Sequence, residues 1–164
     1  MDIATIPPEY RRVTSVDWKA ITETATGLYV EVGTFHGASA SAASQNADRV
    51  VTIDTVNREP KVWDTESSIV FFHGDSAAYA KELTDSPIDT LFIDGDHSYE
   101  GVMLDCVSLI PRVKRFGIIL FHDYNETNPD TGVFLAVNEY LATIPHKSFG
   151  KVPGSHHLLK VQKL

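Results

Sequence analysis

Five short apolar runs punctuate the chain: "LYVEV" at 28–32, "VVTID" at 50–54, "IVFFH" at 69–73, "TLFID" at 90–94 and "GIILF" at 117–121. Each is nearly continuous in apolar character and rich in β-branched or aromatic residues, the pattern of strands covered on both faces. Between them the period changes. "GASASAASQNA", a shorter stretch near 58–66, "SAAYAKEL" and "YEGVMLDCVSLI" read as helices, the last with Val102, Cys106 and Leu109 at spacings of four and three. Residues 15–26 predict a helix ahead of the first strand, with Thr14 or Ser15 as its cap. After the fifth run, the polar "NETNPD" leads into a helix over "TGVFLAVNEYLATI". Two weaker strands follow, "KSFGKV" and "HLLKV", around the turn-forming Pro153-Gly154-Ser155. Alternating strands and helices predict a parallel α/β sheet, and the terminal pair predicts a hairpin that brings it to seven strands.

Composition narrows the class. A length of 164 residues with 43% apolar content predicts one domain over 1–164, in which 1–27 form an N-terminal cap segment and helix. No apolar run reaches 18 residues, and "MDIATIPPEY" has neither a basic nor an apolar leader region, so the expectation is a cytoplasmic protein with no membrane partner. A net charge of −8 disfavours nucleic acid. Cys106, the one cysteine, lies in an apolar helical stretch and reads as core packing.

In an open α/β sheet a ligand sits beyond the carboxyl ends of the strands, and here those ends are acidic. Glu31 is near the end of the first run, Asp54 closes the second, Asp75 follows the third and Asp94 closes the fourth. One such acid is ordinarily a cap; four along one sheet edge point to a ligand crevice. In "EVGTFHG", Gly33 and Gly37 suit a tight turn opening a helix, where backbone amides approach a ligand closely. A dinucleotide is disfavoured because Phe35 stands where the G-x-G-x-x-G fingerprint needs its second glycine, and its side chain would crowd a pyrophosphate.

"VEVGTFHGAS", "VVTID", "FFHGDS", "LFIDGDHSYEGVMLD" and "GIILFHDY", in this order, make the chain resemble class I S-adenosylmethionine-dependent methyltransferases. The nearer likeness is to the branch of macrocin-type sugar O-methyltransferases and cephalosporin-hydroxylase-like proteins, over about residues 25 to 125. The resemblance implies a Rossmann-like, mostly parallel seven-stranded sheet with helices on both faces and a C-terminal antiparallel hairpin. It also implies a small-molecule substrate, methylated on a sugar or phenol hydroxyl. Gly33, Thr34, Phe35 and Gly37 would face the methionine part of the cofactor, Asp54 the ribose hydroxyls, and Asp75 with Ser76 the adenine. Ionised carboxylates accept the hydrogen bonds that ribose hydroxyls and an exocyclic amine offer. Glu31 either orients the glycine loop or approaches the methionine end.

Metal-using members of these families imply a divalent cation, magnesium or manganese, at Asp94, His122 and Asp123, the last two lying 28 and 29 residues beyond the first. An imidazole is an uncommon magnesium ligand, so three versions stay open: a softer ion, Asp94 and Asp123 alone, or no metal. Asp94 also counts toward the cofactor. His97, with Asp96 as the other candidate, would take the proton from the acceptor, unless both only cap the helix beginning near Ser98. Tyr99 and Tyr124 read as packing residues beside the substrate pocket, and His36 as a neighbour of the cofactor. His73, His146, His156 and His157 read as surface or packing residues; Trp18 and Trp63 read as core packing, with covering an adenine face the alternative for Trp63. The residues before Leu28 are few for a lid, so acceptor recognition falls to residues 1–14, the 124–131 loop, or a second subunit of a homo-oligomer. The competing class is a non-catalytic α/β module that binds S-adenosylmethionine or a nucleotide.

Overall fold

The computed structural model describes residues 2–57, 62, 68–84, 87–128 and 131–164. Among these residues seven strands form one sheet: β1 (Leu28–Val32), β2 (Arg49–Asp54), β3 (Ile69–His73), β4 (Ile88–Ile93), β5 (Val113–Phe121), β6 (His146–Lys151) and β7 (Leu159–Lys163). Their spatial order is β3-β2-β1-β4-β5-β7-β6. The first five are mutually parallel; β7 is antiparallel to both β5 and β6. The expected parallel sheet with a terminal hairpin is therefore observed. The expected helix near 58–66 lies, apart from Val62, outside the described residues, as does Trp63.

Side-chain alternation divides the core into two layers. Leu28, Val30 and Val32 of β1 face the side covered by α3 (Ser76–Glu82), α4 (Tyr99–Leu109) and α5 (Gly132–Leu141), together with Leu91 and Ile93 of β4 and Ile119 and Phe121 of β5. Tyr29, Phe92 and Leu120 face the other side, covered by α1 (Ser15–Thr24) and α2 (Ala38–Ala43). Burial of both faces is why the central strands read as continuous apolar runs. Cys106 is fully buried in the α4 layer, as expected of a packing residue.

Local chemistry sets the helix starts. Thr14 caps α1 in a reciprocal box with Asp17: the Asp17 amide donates to Thr14 Oγ1, and Asp17 Oδ2 accepts from the Thr14 amide at 2.8 Å. Asp75 caps α3 by accepting from the Ala78 amide at 2.7 Å, and Ser98 caps α4 through the Gly101 amide at 3.1 Å. No helix among the described residues is long and apolar enough to cross a membrane.

Candidate active site

Parallel register is what assembles the site. Val32 pairs with Ile53 on one side and Ile93 on the other, and Ile93 pairs with Phe121. The ladder continues one step past the strands: Gly33 N donates to Ile53 O at 2.8 Å, Asp94 N to Val32 O at 2.9 Å, His122 N to Ile93 O at 3.0 Å and Gly74 N to Asp54 O at 3.0 Å. Gly33, Asp54, Asp94 and His122 thus leave the sheet side by side along its carboxyl edge. Gly33 has φ +94, and a β-carbon there would overlap the Asp94 carbonyl, so only glycine lets the first loop cross β4 this closely.

Above this edge lies a cavity of about 710 Å³, within the usual small-molecule range. Its wall includes Gly33, Thr34, Phe35, Asp54, Asp75, Ser76, Asp94, Asp96, His97, His122 and Asp123, gathering most of the residues singled out in the sequence. Gly37 serves instead as the left-handed N-cap of α2, at φ +86. Glu31 is not in the wall. It is fully buried on the α2 side beneath the loop, where Thr52 Oγ1 donates to it at 2.7 Å and Tyr29 Oη at 3.2 Å. Because the Thr52 proton goes to Glu31, the 2.7 Å contact between the Thr52 and Thr34 hydroxyls has Thr34 as donor. Burial pushes the Glu31 carboxyl up to about 8, despite the opposing hydrogen bonds of Thr52, Ser39 and Tyr29. Through Thr52 it connects to the Thr34 hydroxyl of the glycine loop above it.

Asp54 accepts from the amides of Thr34 at 3.2 Å and Val56 at 2.8 Å, so the loops on either side wrap around its carboxylate. Ser76 is buried, its hydroxyl turned to Asp105 yet short of hydrogen-bonding geometry and left without a partner in the cavity wall. A polar ligand at this end would satisfy it.

Four ionisable side chains interlock at the other end. His97 Nε2 lies 3.4 Å from Asp94 Oδ1 and 3.3 Å from Asp123 Oδ2. His122 Nδ1 lies 3.3 Å and 3.1 Å from the same two oxygens. Asp123 adopts φ +54, a left-handed conformation that is uncommon outside glycine and costs energy. Burial alone would lower the His122 pKa, but the carboxylates of Asp123, Asp17 and Asp94 outweigh it and push the value up to about 12. His122 is accordingly an imidazolium, the built-in counter-ion of the two acids. His97 is half-exposed, and its hydrogen bond to Asp94 raises its pKa against the opposing effect of burial.

The donor atoms that close into a cation-sized set belong to Asp94, His97 and Asp123, all within 4.8 Å of one another. His122, expected as the third ligand, lies beneath them with its Nδ1 proton directed at both carboxylates. Asp96, the alternative base, is engaged locally: Oδ1 accepts from the Ser98 amide at 3.0 Å and Oδ2 from the Ser98 hydroxyl at 2.8 Å. Those bonds hold its pKa below the ordinary value, a poor setting for a base. Tyr99 and Tyr124 tie to α5 instead, through Glu139 at 2.8 Å and Asn138 at 3.1 Å.

Three residues in or behind the wall escaped the sequence. Asp17 is fully buried behind the site, 3.7 Å from His122 Nε2, and accepts from the His156 amide at 3.1 Å. His156, read as a surface or packing residue, is exposed, and the hairpin turn also places it in the cavity wall, with Nδ1 3.6 Å from Asp123 Oδ1. Asp105 lines the wall from α4, and burial raises it to about 6. Its place on the same helix face as Val102, Cys106 and Leu109 was a visible signal, an acid on an otherwise apolar stripe.

Comparison with known proteins agrees with the fold. The chain is 32% identical over 132 residues to the uncharacterized protein R132 of Acanthamoeba polyphaga mimivirus, covering 71% of this chain and 60% of that protein. It is also 32% identical over 68 residues to the uncharacterized protein y4gI of Sinorhizobium fredii (strain NBRC 101917 / NGR234), covering 42% of this chain and 8% of that one. The chain therefore spans less than two thirds of the length of these curated relatives. Among solved structures, the O-methyltransferase NovP superposes with a TM-score of 0.73 at 15% identity, over 94% of this chain and 82% of that chain. CalS11, a TDP-rhamnose 3′-O-methyltransferase, gives 0.66 at 16%, over 98% and 84%. TomG of Streptomyces achromogenes, solved with SAM, gives 0.62 at 15%, over 96% and 82%. The methyltransferase-domain family matches residues 30–124, from β1 through the His122-Asp123-Tyr124 turn, and with the strand order above the chain belongs to that family in its class I, Rossmann-like form.

Proposed function

We propose that the protein transfers a methyl group from S-adenosylmethionine to a hydroxyl of a small molecule, a sugar or a phenol. The observation that carries this reading is the single cavity wall joining the Gly33 loop, Asp54, Ser76 and the Asp94–His97–Asp123 cluster. In this reading Asp54 accepts from the ribose hydroxyls, Ser76 and Asp75 meet the adenine, and the Gly33–Phe35 loop lies along the methionine. The carboxylates around the cavity suit a cationic sulfonium better than a pyrophosphate. The O-methyltransferases with which the fold superposes, one of them described as acting on a sugar nucleotide, favour an oxygen acceptor.

His97 serves as the base. Asp94 and Asp123 accept from Nε2–H, fixing the tautomer whose basic lone pair is on Nδ1, much as a carboxylate orients the imidazole of a catalytic triad. His97 takes the hydroxyl proton as the oxygen–carbon bond forms and the carbon–sulfur bond breaks. Asp123 and Asp94 then stabilise the resulting imidazolium, while His122 keeps the two acids from repelling one another.

The three donor atoms within 4.8 Å favour a second version. Two carboxylates and an imidazole fit a manganese-like ion better than magnesium, and Asp94, His97 and Asp123 would hold it. When bound, such a cation supplies Lewis-acid polarisation of the acceptor hydroxyl. The versions differ at one atom, because His97 Nε2 carries a proton in the first and must lose it in the second. Nitrogen NMR of His97, read beside turnover of labelled S-adenosylmethionine with a panel of sugar and phenol acceptors in excess EDTA, separates them. A protonated Nε2 and undiminished transfer support the base; transfer lost to EDTA and restored by manganese supports the metal. Cofactor binding with no transfer to any hydroxyl acceptor would contradict both and leave a binding module.

A further inference from the structure

Arg12 is the only lysine or arginine among the described residues that line the cavity, whose wall also carries Asp54, Asp75, Asp94, Asp96, Asp105 and Asp123. Among the described residues its guanidinium has neither an ion pair nor a hydrogen bond. It rests over the Phe35 ring, 4.9 Å from the centroid. A cation beside six acids would ordinarily collapse onto one of them. This one is held away, at the glycine-loop end of the cavity, while Asp94 and Asp123 are taken up by histidines.

The segment that presents it is fixed. Val13 is buried, the Arg11 guanidinium donates to the Ile3 carbonyl at 3.0 Å, and Tyr10 meets the His36 ring edge-on at 5.0 Å. Phe35 is itself held at φ +46, an uncommon conformation for an aromatic residue, and that turns its ring to the N-terminal segment. Two stretches distant in sequence thus place a planar, fork-shaped donor beside the loop that the proposed function puts along the methionine.

The amino-acid tail of such a cofactor is a zwitterion next to a sulfonium. Its two cationic centres match the carboxylates of the wall, but its own carboxylate would meet only like charge unless a cation receives it. We infer that Arg12 is the receptor for the carboxylate of the bound amino-acid moiety, so that residues 10–13 complete the cofactor site. This rests on the methyltransferase reading and extends it to a residue outside the family match at 30–124. A guanidinium pairs with a carboxylate through two parallel hydrogen bonds, a geometry that an ammonium cannot reproduce.

The test compares two ligands by calorimetry on the full chain: S-adenosylhomocysteine, and 5′-methylthioadenosine, which keeps the adenosine and the sulfur but lacks the amino-acid tail. Arg12→Gln should weaken S-adenosylhomocysteine about tenfold, the scale of losing a charged hydrogen bond at a partly exposed site. It should leave 5′-methylthioadenosine within about twofold, which also shows that the variant is folded, and Arg12→Lys should fall between the wild type and Arg12→Gln. Equal loss for both ligands would overturn the inference in favour of a purely structural segment. Unchanged S-adenosylhomocysteine affinity would overturn it as well, and a raised acceptor KM in that variant would reassign the cation to an anionic acceptor. If the wild type binds neither ligand, the methyltransferase reading falls and this inference with it.

Discussion

The carboxylate of Asp17, in the first turn of α1, lies 3.7 Å from Nε2 of His122, directly after β5, with the two side chains 0% and 4% exposed. Around that contact one acid joins three parts of the chain: the Thr14 cap, the His122 imidazolium and the His156 amide at the hairpin turn. Burial would raise its pKa, but His122 and Thr14 hold it at about 2.

Asp17→Ala removes the reciprocal half of the capping box and one of the carboxylates around a buried imidazolium. It should lower stability by about 2–4 kcal/mol, between the cost of a lost cap and that of a broken buried ion pair. Urea unfolding measures it. The pH dependence has a definite sign: a folded pKa of about 2 against 3.8 unfolded contributes stability above 3.8 that is lost as pH falls through 2. The wild type should therefore lose more stability than Asp17→Ala on acidification from pH 5 to pH 2. Parallel curves would remove Asp17 from the network.

Glu31 predicts the opposite trend. Its folded pKa of about 8 lies above the model-peptide value of 4.5, so its contribution is fully present below 4.5 and falls as pH rises to 8. Each pH unit in that window costs about 1.4 kcal/mol. Glu31→Gln keeps the shape and cannot ionise, so its stability should decline less steeply than the wild type between pH 5 and pH 8. Identical slopes in urea titrations would contradict a protonated Glu31 under the glycine loop.

His97 must be neutral to accept a proton, and its pKa is raised, chiefly by the hydrogen bond to Asp94. With a true acceptor, kcat should rise with pH through a midpoint above the ordinary histidine value of 6.5. His97→Ala should lower it by roughly 10²–10⁴, with partial recovery at high pH. A variant with wild-type turnover and an unchanged profile would exclude His97 as the base.

Asp54→Ala should weaken S-adenosylmethionine by about 1.5–3 kcal/mol, the scale for hydrogen bonds to a charged group. Part of that loss comes from the loop, because the Thr34 and Val56 amides give up their acceptor. Calorimetric affinity equal to that of the wild type would place the ribose elsewhere.

The sequence made the sheet legible because its central strands are buried on both faces and read as unbroken apolar runs; Leu28–Val32 and Ile69–His73 were placed at their observed bounds. The edge acids were legible for the same reason, since Asp54 and Asp94 close runs and Asp75 follows one. What one dimension hides is convergence from afar. His156 reaches the site only through the turn of a C-terminal hairpin, and Asp17 satisfies a capping box, a local explanation that masks its second role. Spacing alone could not separate the settings of His97 and His122: one is half-exposed in the crevice after β4, the other buried beneath it after β5.

The central claim is that this cavity takes the sulfonium cofactor and not a dinucleotide, and titration calorimetry of the full chain with S-adenosylmethionine and with NAD tests it most directly. Saturable micromolar binding of S-adenosylmethionine at one site per chain, weakened by Asp54→Ala, with no heat from NAD, is the predicted result. Binding of NAD, or no binding of S-adenosylmethionine to folded protein, would contradict it.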